Sequence, residues 1–85
     1  MISLPKEREF HYNICTEADE ELFYKQCTAL ENHIPDLSKE RLLQDVDGSL
    51  IQIYYHEKGE LVVYNDYLVG ALYIESDFDI EPYFE

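Results

Sequence analysis

From Phe10 to Cys15 apolar and polar residues alternate, with Phe10, Tyr12 and Ile14 on one side and His11, Asn13 and Cys15 on the other. That period of two predicts a strand. Thr16 then stands where a helix N-cap is expected, Asp19 follows three residues later, and Glu17, Glu20 and Glu21 place negative charge in the first turn. Ala18, Leu22, Phe23, Cys27, Leu30 and Ile34 recur at helical spacing, which predicts an amphipathic helix from Glu17 to His33. Pro35 closes it, because the residue before a proline is pushed out of the α region.

Beyond a connecting loop over Asp36 to Glu40, a strand is expected at Arg41 to Val46 and another at Leu50 to His56. Asp47-Gly48 between them suits a two-residue type I′ turn, in which both central residues take positive φ. In the second strand Ile51, Ile53 and Tyr55 share one face and Gln52, Tyr54 and His56 the other. After a turn at Glu57-Lys58-Gly59, strands over Leu61 to Asn65 and Tyr67 to Glu75 complete a meander. Asn65-Asp66 is its turn and Gly70 a bulge. Met1 to Glu9 read as a solvated lead-in, while Ser76 to Glu85 alternate acid and apolar residues. The fold class is therefore α+β: a single domain over 1–85, ordered β-α-β-β-β-β, with one amphipathic helix packed on one face of an antiparallel sheet.

A chain of 85 residues has room for one modest core, and 46% hydrophobic residues are enough to fill it. Charge changes the picture more. Nineteen Asp and Glu against six Lys and Arg give a net charge of −13, which disfavours compaction and strengthens attraction to cationic surfaces. Phosphate binding needs lysine and arginine to replace counterions, so direct nucleic-acid binding and anionic membranes are excluded as targets. Cys15 and Cys27 read as small apolar side chains of a reduced, cytoplasmic protein, since neither a secretory leader nor an apolar stretch of roughly 20 residues is visible.

The candidate chemistries fail on spacing. In Asp45-Val46-Asp47-Gly48-Ser49 the glycine follows the first aspartate by three residues, too soon for a calcium loop. His11, Cys15, Cys27 and His33 are zinc-ligand types without a short-spaced pair. Nineteen carboxylates make chance pairs inevitable, and no glycine-rich phosphate loop or nucleophile signature occurs. The expectation is a non-enzyme with no cofactor and no metal.

Tyrosine is more informative, with eight against four Phe and no Trp. If Ile51, Ile53, Leu68, Leu72 and Ile74 face the helix, alternation sends Tyr54, Tyr67, Tyr73 and Tyr64 to the opposite face, beside Gln52, His56 and Glu75. After Lys58 no Lys or Arg follows, while Glu60, Asp66, Glu75, Asp77, Asp79, Glu81 and Glu85 are all acidic. A one-sign field beside flat rings imitates a nucleic-acid strand. In size, charge, strand order and the tail Asp77-Phe78-Asp79-Ile80-Glu81-Pro82-Tyr83, the chain resembles the small acidic immunity proteins that protect bacteria against nuclease toxins of contact-dependent growth inhibition systems and colicin-like bacteriocins.

The resemblance implies a stoichiometric inhibitor of a basic nuclease toxin, a monomer or weak dimer when free. Tyr54, Asp66, Tyr67, Tyr73, Glu75, Asp77, Asp79, Glu81 and Tyr83 are the expected partner-binding residues. Two alternatives share the composition. One is a phage-encoded nucleic-acid mimic that blocks a restriction or RNA-guided nuclease, and the other a non-catalytic adaptor whose tyrosine face completes an oligomer.

Overall fold

A computed structural model describes residues 8–84. The expected lead-in lies outside the described residues up to Glu7, as does Glu85. Six antiparallel strands and one helix follow in the order β1 (Phe10–Cys15), α1 (Glu20–His33), β2 (Ser38–Lys39), β3 (Leu43–Gln44), β4 (Leu50–His56), β5 (Gly59–Asp66) and β6 (Ala71–Ser76). A turn of 3-10 helix over Glu81–Phe84 closes the described residues. Across the sheet the order is β1-β6-β5-β4-β2, with β3 also pairing β4. The α+β reading holds, with one helix on a sheet whose centre is the β4-β5-β6 meander.

The helix begins later than its charge pattern predicts. Asp19, not Thr16, is the N-cap: its backbone is extended and its Oδ1 accepts the Leu22 N–H at 3.1 Å. Asp19 is fixed from the sheet side as well, since its own N–H donates to Asn65 Oδ1 at 2.8 Å. The C-terminal end falls as expected, with Ile34 extended before Pro35 and its N–H bonded to the Leu30 carbonyl. Phe23, Cys27, Leu30 and Ile34 form the buried stripe. They meet Leu50, Tyr54, Leu61, Val63, Leu72 and Ile74 from the sheet, and Phe78 and Ile80 close the core after β6.

This packing reverses the expected face of β4. Leu50, Gln52 and Tyr54 point to the helix, and Ile51, Ile53 and Tyr55 point away. Alternation alone cannot choose, because both faces of this strand carry large apolar side chains. Partners for the polar groups decide it. The Tyr54 hydroxyl donates to Glu31 Oε2 at 2.6 Å, and Gln52 Nε2 donates to the Glu40 carbonyl at 2.6 Å and the Ile53 carbonyl at 3.2 Å. Buried with their hydrogen bonds made, these groups avoid the desolvation cost that sequence reading charges them.

Several turns also differ. The β3–β4 connection is not a two-residue type I′ turn: Gly48 has φ 91°, Asp47 is not left-handed, and Gly48 N–H bonds to the Asp45 carbonyl at 3.0 Å. The loop is Val46, Asp47 and Gly48, with only the last residue left-handed. β5 runs through Asn65 and Asp66, so the next turn is Tyr67 to Gly70 and Gly70 is no bulge. The bulge lies in β1, where a register shift between Asn13 and Cys15 brings Cys15 against the core while Ile14 lines a groove beside Leu30 and Ile74. The strand expected over Arg41 to Val46 shrinks to Leu43–Gln44, while part of the expected loop forms β2.

Candidate protein-binding surface

The sheet face without the helix carries a row set by strand register. Asn13, Tyr73, Tyr64, Ile51 and Leu43 lie side by side across β1, β6, β5, β4 and β3. The His11 ring stacks on Tyr73 at 5.1 Å and Tyr73 on Tyr64 at 4.8 Å, nearly parallel at 20° and 18°. In the next row His11, Glu75, Val62 and Ile53 are neighbours. Val62 is only 1% exposed on this face. Burial accordingly pushes the Tyr64 and Tyr73 phenols above their ordinary pKa.

Arg8 changes the charge map of this face. Its Nη2 donates to Glu60 Oε1 at 3.0 Å and its Nη1 lies 3.8 Å from Glu75 Oε1, with the arginine side chain 13% exposed. His11 Nδ1 sits 3.3 Å from Glu75 Oε2. Two of the acids that seem uncompensated along the chain after Lys58 therefore share one positive charge, that of a residue more than fifty positions earlier. The side of the face toward β3 is more exposed, with Tyr55 and Leu43 beside Glu40, Arg41 and Ile53.

The expected binding residues are divided among the helix-free face, the adjoining turn end, the C-terminal segment and the core. Tyr73 and Glu75 are on the helix-free face of β6, as alternation predicts. Asp66 and Tyr67 lie at one end of the sheet, where the Tyr67 ring is in the β5–β6 turn rather than on the face. Asp77, Asp79, Glu81 and Tyr83 belong to the C-terminal segment, whose Phe78 and Ile80 pack on the helix side. Tyr54 is withdrawn altogether. At 0% exposure, with its hydroxyl on Glu31, it is core, and burial drives its pKa far upward.

The alternating acids of the described tail do not line up along a strand. The segment after β6 is not a strand. Asp77 Oδ2 accepts the Glu60 N–H at 2.9 Å, and Asp79 Oδ1 accepts the Tyr12 hydroxyl at 2.9 Å and the Glu81 N–H at 3.0 Å. Glu81 opens the 3-10 turn, and the Tyr83 hydroxyl accepts from Lys58 Nζ at 3.1 Å. Carboxylates spaced for a strand serve here as hydrogen-bond acceptors that tie the tail to β5, to Tyr12 and to its own backbone.

The end formed by the β3–β4 and β5–β6 turns was missed by pattern reading. Asp45, Asp47 and Asp66 surround a cleft of about 200 Å³ with Ile51, Tyr64 and Leu68. Val46 at 103% exposure, Leu68 at 86% and Val69 at 67% project from the two turns. The one available signal is that both turns spend positions usually polar on valine and leucine. Among the described residues no group of three or more His, Cys, Asp and Glu side chains is placed to hold a metal ion, and no helix is long and apolar enough to cross a membrane. Comparison with protein-family models, curated proteins and solved structures gives no match.

Proposed function

We propose that this chain is a protein inhibitor that neutralises a basic nuclease, of the immunity-protein kind, by occluding its nucleic-acid-binding surface. The observation that carries this reading is the helix-free sheet face. It presents stacked aromatic rings and apolar side chains, Tyr73, Tyr64, Ile51 and Leu43, next to the acidic end at Asp45, Asp47 and Asp66. Aromatic anchors framed by one sign of charge suit a binding surface in which charge speeds encounter and rings slow release. A net charge of −13 directs it to a cationic partner.

The test is capture followed by enzymology. The protein retained by the immobilised chain should be basic, should cleave DNA or RNA when alone, and should lose that cleavage on stoichiometric addition of the chain. A captured partner without nuclease activity, or a nuclease that keeps cutting in the complex, would refute the proposal. Tyr55→Ser, on the exposed part of the same face, should weaken inhibition without lowering the melting temperature appreciably.

A further inference from the structure

Register brings the β3–β4 and β5–β6 turns to the same end of the sheet, since Leu50 pairs Asn65 and Asn65 pairs Leu72. They are fastened together: Tyr67 N–H donates to Ser49 Oγ at 2.9 Å, and the Tyr67 ring lies 3.6 Å from where a side chain on Gly48 would begin. Each is also pinned internally. Asp66 Oδ1 accepts the Leu68 and Val69 N–H groups at 2.9 and 3.2 Å, Asp47 Oδ1 that of Ser49 at 2.9 Å, and Asp45 Oδ1 that of Val46 at 2.7 Å. The exposed Val46, Leu68 and Val69 thus stand on backbones already held in place. Docking them costs little ordering entropy, the usual penalty of a loop-borne contact.

Scattered apolar side chains on a surface need no explanation, but several on two joined turns make a knob. Its surroundings are acidic. Asp45, Asp47 and Asp66 ring the adjoining cleft, and none pairs with a lysine or arginine of the described residues. The N-terminus of α1 reaches the same end through the Asp19–Asn65 bond, bringing the exposed Glu17, Glu20 and Glu21. A second copy of the chain would set this collar against its own sign, whereas lysine and arginine around an apolar pocket would complement both features.

We infer that this twin-turn end is the anchor of the complex: Val46, Leu68 and Val69 enter an apolar pocket on a partner protein, and the surrounding aspartates meet lysine and arginine on its rim. The inference rests on the inhibitor reading above and adds to it where the tightest contact lies. The cleft continues onto Tyr64 and Tyr73, so the anchor and the sheet face form one surface.

The probe is a library of random-sequence peptides displayed on phage and selected against the intact immobilised chain. Enriched peptides should combine Arg or Lys with Leu, Ile or aromatic residues. Their affinity should fall on the order of tenfold or more in Val46→Ser/Leu68→Ser/Val69→Ser, whose changed side chains are outside the core, so that an unchanged melting temperature certifies the fold. Asp45→Asn/Asp66→Asn keeps the Oδ1 acceptors of the turns and should flatten the salt dependence of binding. Peptides that bind the serine variant as tightly as the parent would overturn the inference, as would failure to enrich any peptide. A concentration-dependent dimer abolished by the serine changes would overturn it too. Peptides that lose affinity only with Tyr55→Ser would remove the anchor while leaving the inhibitor reading intact. Peptides that need the turns, beside a partner without nuclease activity, would do the reverse.

Discussion

At Gly59 the backbone has φ 138°, and a Cβ there would sit 2.5 Å from Asp77 Cβ. Asp77 cannot move aside freely, because its Oδ2 holds the Glu60 N–H. Gly59→Ala should therefore cost about 3 kcal/mol or more, from backbone strain and overpacking together. Gly70→Ala, left-handed but with nothing within 4 Å, should cost only about 1–2 kcal/mol. Urea unfolding of the two variants tests this, and equal losses would show that the Asp77 contact is unimportant. From sequence Gly59 reads as a turn residue, whereas it opens β5 opposite His56, and the side chain that crowds it comes from the tail. Tyr54 shows the same limit. Its burial depends on Glu31 and the Cys27 carbonyl, groups that the helix supplies and no local pattern announces.

Among the elements, α1 separates what charge patterning suggests from what the backbone does. Thr16, Glu17 and Asp19 all look like initiation signals, yet it is Asp19 whose extended backbone and side chain, accepting the Leu22 N–H, cap the helix. Asp19→Ala should cost about 0.5–2 kcal/mol, whereas Thr16→Ala should stay within about 0.5 kcal/mol of the parent. Thermal unfolding of both variants distinguishes the two starts, and the opposite ranking would return the cap to Thr16. The helix stripe and the β4–β5–β6 meander were legible because each repeats a strong local signal several times, and the helix end because Pro35 is a strong signal by itself. The turns, the β1 bulge and the face of β4 were not, because a one-residue shift reverses every side chain and register is fixed by partners distant in sequence. The candidate site divides along the same line. Tyr73 and Glu75 follow from simple alternation, but the knob at Val46, Leu68 and Val69 appears only once two turns are brought together.

For the molecule as a whole, excess negative charge and sheltered tyrosines act together against the fold as pH rises. Burial raises the pKa of Tyr12, Tyr54, Tyr64 and Tyr73 above the ordinary 10.0. The fold prefers the neutral phenol in each case. Their contribution to stability is complete below the unfolded value and is lost as pH climbs from there through the folded one. Ionisation also adds negative charge to a chain that already carries −13, so self-repulsion grows while the phenols must leave the interior. The protein should consequently unfold in alkali above about pH 10, with Tyr54 ionising on unfolding rather than before it. Phenolate absorbance and far-UV circular dichroism, recorded in one titration, should show a late fraction of the tyrosines ionising together with loss of structure. Added sodium chloride should move that transition to higher pH by screening the repulsion, although it also weakens the Lys25–Glu21 and Lys39–Glu31 pairs. Those pairs are solvent-exposed and contribute little, so relief of the net charge should prevail. Ionisation of every tyrosine with the circular dichroism unchanged would contradict the burial of Tyr54, and a transition driven to lower pH by salt would contradict the dominance of self-repulsion.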